Sequence, residues 1–406
     1  MSSDHATIGV WRLSRERNIA QLQSSRDRFW GLAAAIVSIS AVGAGFGHSI
    51  PLFAVLLDRF GASDFLIGAN TGFAAIAAVV AAPIYPRLIH RLGLRVFMLV
   101  CLAILILPYF AIYFVGDRFV FWFALRFIIS FGAGGLFVGS EVWINALANP
   151  EKRGQIIGIY GTCLALGFAL GPLTLEFTRY DGFLPFAAGI SIFSLASIPL
   201  FFAKNPPIEP AAHDERPTEF LAIILAAPVT FAAAAAAAGF EDSLFMFLPI
   251  FAIESGFGEV VASRTVMAYA IGIVSFQYLI GRYADIVGAT RMLYFCALAS
   301  LIGAILYPFA QASLLLLYPL LAFWGGAMGG VYTVGLTIVG HSFQGTKLAA
   351  ANTGYVFMWG VGAIIGPTVA GVVRNATGAD GLNVFFVVTA SAYALASYLR
   401  RHATAP

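Results

Sequence analysis

Polar and apolar positions along this chain come in blocks rather than alternating residue by residue. Runs such as AAAIVSISAVGAGF, MLVCLAILILPYFAIYFV, FAAGISIFSLASIPLFF and LLLLYPLLAFWGGAMGGVY approach or contain the roughly 20 apolar residues that cross about 30 Å of hydrocarbon. Twelve such spans can be laid out: 30–57, 65–88, 94–116, 118–148, 152–178, 182–203, 219–252, 259–282, 290–309, 312–343, 348–374 and 381–399. A spanning segment must satisfy its backbone internally, so each is predicted to be a helix. The other spanning form, a β-barrel, would read as alternating segments of about 10 residues. Nothing here alternates in that way.

Composition supports the bilayer reading: 11% of the 406 residues are charged and 60% are hydrophobic, against about 25% charged in a soluble domain. Residues 1–28 form a polar tail with Arg12, Arg15, Arg17, Arg26 and Arg28. The apolar run that follows is longer than a signal-peptide core and has no convincing cleavage site, so the tail is expected to be retained. KNPPIEPAAHDERPTE, 204–219, is the one soluble-looking interruption, too short for a domain and suited to an extended connector. The expected organisation is a tail 1–28, a six-helix half 29–203, a linker 204–218, a second half 219–400 and a tail 401–406.

Orientation follows from the cations. With the N-terminus inside, the inner set adds Arg87, Arg91, Arg95, Lys152, Arg153, Lys204, Arg216, Arg282, Arg291, Lys347, Arg400 and Arg401 to the five of the tail, seventeen in all. The outer set is only Arg59, Arg118, Arg179, Arg264 and Arg374. This asymmetry puts both termini in the cytoplasm. It also accounts for the net charge of +3, which therefore points to no nucleic-acid partner. Cys101, Cys163 and Cys296 fall inside spans without paired or metal-ligand spacing and read as core residues.

Two distant stretches share a pattern: PRLIHRLGLRV at 86–96 and GRYADIVGATR at 281–291. Pro86, His90 and Gly93 map onto Gly281, Asp285 and Gly288 at an offset of 195 residues, and Gly171-Pro172 maps onto Gly366-Pro367 at the same offset. Gly134-Gly135 and Gly329-Gly330 repeat it once more. Three motifs in one register mark a duplicated six-helix unit, as in transporter folds with parallel repeats. The fold class is thus an all-α polytopic membrane protein, twelve transmembrane helices in two pseudo-symmetric halves.

At this point the chain resembles the major facilitator superfamily over about residues 29–400. The resemblance rests on the twelve spans, the central linker and Gly281-x-x-x-Asp285-x-x-Gly288-x-x-Arg291 between the second and third helices of a half. Arg126 with FIISFGAG is similar to the fourth-helix motif, with Ser130 where a Gly is usual. Gly167-x-x-x-Gly171-Pro172 is similar to the fifth-helix motif, with Leu173-Thr174-Leu175-Glu176 in place of its second glycine pair. EVWIN at 141–145, followed by RGQIIGIY, resembles a poorly characterised bacterial branch with a Glu-x-Trp-x-Asn turn at the end of the fourth helix, usually Glu-Ser-Trp-Leu-Asn; Val142 departs from it.

The resemblance implies a cytoplasmic gate at the loop motif, with Asp285 accepting from a helix N-terminus and Arg282 and Arg291 beside it. In the first half, Arg91 and Gly93 flank His90, which cannot supply the anion, so that latch is expected to be weak or absent. Glu141, near the inner end of its span, reads as a gate or capping residue, and Trp143 as an interface anchor. Gly43-x-x-x-Gly47, Gly154-x-x-x-Gly158, Gly325-x-x-x-Gly329 and Gly362-x-x-x-Gly366 read as close-packing seams, as does the alanine run 232–238.

Ionisable residues far from span ends are the candidate site, because each is costly at mid-membrane unless paired or facing water. These are His48, Arg126, Glu241 and Asp242; the resemblance places them, with Tyr332, on the first, fourth, seventh and tenth helices, which line the family's cavity. Glu241 is the preferred proton carrier and Asp242, about 100° round the helix, points toward a seam or the outer entrance. Arg126 either binds an anionic group of the substrate or neutralises Glu241, or it braces helices. His48 equally fits a satisfied packing role. Asn352, Tyr355 and Trp359 recur at helical spacing on the eleventh span and line the cavity or pack.

There is no P-loop, no nucleophile motif and no His/Cys/Asp/Glu ligand set, His48, His90 and His341 standing apart. No enzyme activity, cofactor or metal is expected. The expected function is secondary-active transport of a small organic solute across a bacterial inner membrane by a monomer, with protons as coupling ion. An organic-anion uptake symporter and a metabolite or drug efflux antiporter stand on equal footing. A non-transporting receptor or scaffold of the same fold is the alternative.

Overall fold

The computed structural model describes residues 25–81, 83–147, 153–206, 217–344 and 346–403, almost all of them helical. The twelve spanning helices are α1 Ser25–Arg59, α2 Asp64–Ala81, α3 Leu94–Val115, α4 Phe119–Leu147, α5 Arg153–Leu170, α6 Leu184–Phe202, α7 Pro228–Glu254, α8 Gly258–Val287, α9 Ala289–Ala310, α10 Leu314–Ser342, α11 Thr346–Thr377 and α12 Ala379–Ala403. Among the described residues, twelve helices are long and apolar enough to cross a membrane. Most of the N-terminal tail and of the connector, 207–216, lies outside the described residues, and so do Lys152 and the side chains of Arg26, Arg153 and Arg401.

Three expected spans are broken, each near a proline, whose ring removes a helix donor. The second span ends at Ala81 and restarts as Tyr85–Leu92, with Pro86 in its first turn. The fifth breaks at Gly171-Pro172 and continues as Leu173–Thr178. The seventh is split at Ala227, whose φ of -140° and ψ of 58° separate Pro217–Ala226 from α7. Its second piece therefore starts at Pro228, which makes Glu241 the middle residue of a 27-residue helix rather than one two-thirds along.

The duplication is visible in the packing. A β-carbon on Gly167 would meet the Ser40 carbonyl of α1, and one on Gly171 the Ala44 carbonyl. One repeat further on, Gly362 meets the Ala235 carbonyl of α7 and Gly366 meets Gly239. Ser40 and Ala235, and Ala44 and Gly239, are themselves 195 residues apart. Gly43 and Gly47 lie on the α5 backbone at Leu164 and Phe168, Gly325 lies on Tyr269 of α8, and Ala233, Ala234, Ala237 and Ala238 are fully buried. At Gly158 a β-carbon would meet nothing within 4 Å, so no such seam forms there, and the surroundings of Gly154 lie outside the described residues.

A direct expectation follows. Gly366→Ala forces its methyl into the Gly239 backbone, which cannot rotate away, so it should cost about 1–3 kcal/mol and lower the unfolding temperature in detergent. Gly158→Ala has room and should be neutral or slightly stabilising. Equal unfolding temperatures for the two variants would count against the seam.

Trp143 is no interface anchor. It is fully buried, and its indole lies where a side chain on Gly31 of α1 would be. Cys101 and Cys296 are buried and Cys163 partly so.

The halves meet at the end of the bundle away from the termini, here the far end. Gly68 and Gly72 of α2 lie against the Pro367 and Ile364 carbonyls of α11, and Gly371 against that of Asp64. Small residues are what permit such backbone approach.

Candidate functional site

Four polar contacts cross between the halves at the far end. Arg374 of α11 reaches Asp64 of α2 at 2.6 Å and Glu254 of its own half at 2.5 Å. Arg59 of α1 holds Glu259 of α8 at 2.5 Å and Asp181 at 2.6 Å. Arg264 of α8 takes Glu176 in a two-pronged contact at 2.5 and 3.1 Å. Tyr180 and Ser263 share a hydrogen bond of 3.2 Å. Nearer the middle, Phe168 of α5 stands edge-on to Phe245 of α7, with ring centres 4.6 Å apart, and closes the space between the halves from that side.

Toward the termini end the halves present exposed faces to each other. A β-carbon on Gly158 or Gly161 of α5, Gly281 of α8 or Gly340 of α10 would meet nothing within 4 Å, while Glu141 and Asn352 are exposed. Asp285 is exposed too, no ion pair to it forms among the described residues, and nothing lies within 4 Å of Gly281 or Gly288. The gate expected at Asp285, Arg282 and Arg291 is thus unmade in this conformation. In the first half His90 is likewise exposed beside Arg91, and Gly93, with a φ of 77°, turns the chain into α3 against Asn205.

Between the aromatic closure and the open end lie the intramembrane charges. Glu241 and Asp242 are both half-buried, and neither is within 4 Å of a cation among the described residues. Tyr269 of α8 is fully buried, its hydroxyl has no hydrogen-bond partner, and it lies within electrostatic range of both carboxylates. Tyr332 of α10 is within range of Glu241 and of Glu141, which belongs to the other half. Glu141 therefore faces the gap between the halves rather than lipid. Tyr332 packs against Tyr355 and Trp359 of α11, ring centres 5.2 and 4.9 Å apart, and its carbonyl accepts from the Tyr355 hydroxyl at 2.7 Å.

Arg126 does not stand beside Glu241. It is 6% exposed, its guanidinium lies 5.3 Å over the Phe53 ring, one terminal nitrogen is unpartnered, and the carboxylate within its electrostatic range is Asp242. At 1.5 Å per residue it sits about 10 Å from the far end of α4, whereas Glu241 sits about 20 Å from the far end of α7. His48 is fully buried with both ring nitrogens engaged, Nε2 with the Pro185 carbonyl at 2.9 Å and Nδ1 with the Thr174 hydroxyl at 2.6 Å. It ties α1 to the broken fifth helix and to α6.

The sequence reading missed Tyr269, the Phe168–Phe245 pair and the far-end ion pairs. For the last a signal existed: Asp64 and Glu259, each in the first turn of the second helix of its half, are 195 residues apart.

Comparison with known proteins agrees with this architecture. YfkF of Bacillus subtilis (strain 168), named an uncharacterized MFS-type transporter, is 26% identical over 381 residues, covering 92% of this chain and 96% of its own. The nucleoside transporter NupG superposes with a TM-score of 0.75 at 16% identity, covering 91% of this chain and 98% of its own. A D-xylose-proton symporter does so with a TM-score of 0.67 at 14% identity, covering 94% and 97%. At such identities a structural likeness speaks for the fold alone. The Major Facilitator Superfamily model matches residues 35–267 and again 230–406, and the chain belongs to that superfamily.

Proposed function

We propose that the protein is a proton-coupled secondary-active transporter that moves a small organic solute by alternating access. The observation that carries this is the pair Glu241 and Asp242, half-buried at mid-helix in a spanning segment with no ion-pair partner among the described residues. An unpaired carboxylate at that depth is costly unless it binds a proton or a cationic ligand. Far-end closure with an open termini end is one of the two states alternating access requires. By the cation asymmetry the open end is cytoplasmic, the membrane is the bacterial inner membrane, and the halves 29–203 and 219–400 rock about a midplane site as a monomer. The loop motif around Asp285, Gly288 and Arg291 then closes when the far end opens, with Glu141 beside the inner mouth. The Glu-x-Trp-x-Asn turn supports kinship with the poorly characterised bacterial branch that carries that pattern. A receptor or scaffold role is not favoured, since the described carboxylates would serve nothing there.

The test is solute-dependent proton movement in proteoliposomes loaded with a pH dye. Addition of a transported solute should move protons across the membrane, and Asp242→Asn should slow the movement by about tenfold. Solute uptake unaffected by collapsing the pH gradient would sink the coupling.

A further inference from the structure

We propose that the solute held at this site is an aromatic amine carried as its ammonium cation, and that the cation and a proton occupy Glu241 in turn. The inference rests on the transport reading above and names its substrate class.

The charge balance of the accessible space comes first. Among the described residues, the intramembrane ionisable groups within electrostatic range of Tyr269 or Tyr332 are Glu141, Glu241 and Asp242, all carboxylates. Arg126, the cation in electrostatic range of Asp242, is 6% exposed. Asp242 is thus partly offset, while Glu241 and Glu141 have no cation within 4 Å among the described residues. A space lined with uncompensated carboxylates excludes an anionic solute and draws in a cation.

The second observation is independent of the carboxylates. Tyr269 is fully buried with an unpartnered hydroxyl, within range of both Glu241 and Asp242. A buried hydroxyl without a partner is costly, so a ligand group belongs beside it. An ammonium offers three donors, enough for the two carboxylates and the phenol oxygen together.

The body of the solute follows from the wall. Tyr332, Tyr355 and Trp359 form one aromatic cluster on α10 and α11, with Tyr332 in range of Glu241 and Glu141. Aromatic faces beside carboxylates suit a cation with an attached ring, through cation–π attraction and ring stacking. One ammonium and one proton carry equal charge, so their succession on Glu241 is an exchange in which loading the solute releases the proton.

Three compounds with one skeleton test the class: 2-phenylethylamine as cation, phenylalanine as zwitterion and 3-phenylpropanoate as anion. Each is titrated calorimetrically into the purified full chain in nanodiscs, with thermal unfolding as the check on folding. The amine should bind tightest, release protons to buffer, and weaken by about tenfold or more in Glu241→Gln. Tyr332→Leu should weaken it by about two- to fivefold. Binding of 3-phenylpropanoate equal to or above that of the amine, absence of amine binding, or amine binding unchanged in both Glu241→Gln and Glu141→Gln would each overturn the class. The transport reading fails separately: anion binding with proton flux in proteoliposomes leaves transport standing without the amine, and amine binding with no flux does the reverse.

Discussion

In proteoliposomes with an imposed pH gradient, wild-type protein should sustain a solute gradient of about tenfold per pH unit, and Glu241→Gln should let it fall to about unity. The reason is linkage. One proton moved down one pH unit yields about 1.4 kcal/mol, which is a factor of about ten in a concentration ratio. Gln cannot take up the proton yet keeps the shape and the hydrogen-bonding edge of Glu, so packing around the middle of α7 is preserved. The substitution removes coupling without removing the pathway, and downhill exchange of solute should persist. The measurement is steady-state accumulation with and without a protonophore. If the variant still accumulates solute against a gradient, the proton rides elsewhere, with Asp242 and Glu141 as the remaining carboxylates facing the gap.

Arg374→Ala should move the resting population toward a form open at the far end by about 5- to 150-fold, equivalent to about 1–3 kcal/mol. Arg374 is the densest of the far-end contacts. Its side chain is 5% exposed, it bonds Asp64 across the halves and Glu254 within its own, and it stacks 5.2 Å over Phe247. Removing it leaves Asp64 and Glu254 facing each other without a cation, which is the costly way to break an ion pair. The figure is held to the lower range because those carboxylates are 23% and 43% exposed and partly screened. Ser263→Cys supplies the reporter, since Ser263 is 1% exposed and bonded across the halves to Tyr180. An impermeant maleimide added from the far side should label it slowly in the otherwise wild-type protein and much faster with Arg374→Ala. Equal rates would mean that Arg264–Glu176 and Arg59–Glu259 hold the end shut without it.

The sequence spoke clearly wherever one helix alone decides the answer. Span number and approximate bounds follow from apolar length, since twelve runs of sufficient length have no other way to satisfy their backbones in lipid. The duplication was legible because glycines in two copies of one fold face the same backbone atoms, as Gly167 over Ser40 and Gly362 over Ala235 do. The presence of ionisable residues at mid-membrane, Glu241 and Asp242, was legible too, because polar residues are scarce enough there to stand out.

Other features depend on which helices become neighbours, and there the sequence is silent. It left Arg126 between binding a substrate anion, neutralising Glu241 and bracing helices, because the depth of each residue on antiparallel helices sets such distances, and the start of α7 at Pro228 rather than 219 moved Glu241 to mid-helix. It read Trp143 as an anchor at the membrane surface, although a glycine on another helix, Gly31, opens a core site for it. It left His48 balanced between two roles, and only the approach of Thr174 and Pro185 from distant helices engages both nitrogens. It took Arg59, Arg264 and Arg374 as topology charges, while the tertiary structure makes them clasps by bringing Glu259, Glu176 and Asp64 across from the opposite half. What the sequence determined by itself, then, is the set of helices and their repeat, because both are local in origin. What only the tertiary structure decided is which charges meet, because a contact between helices depends on depth and rotation that no single segment encodes.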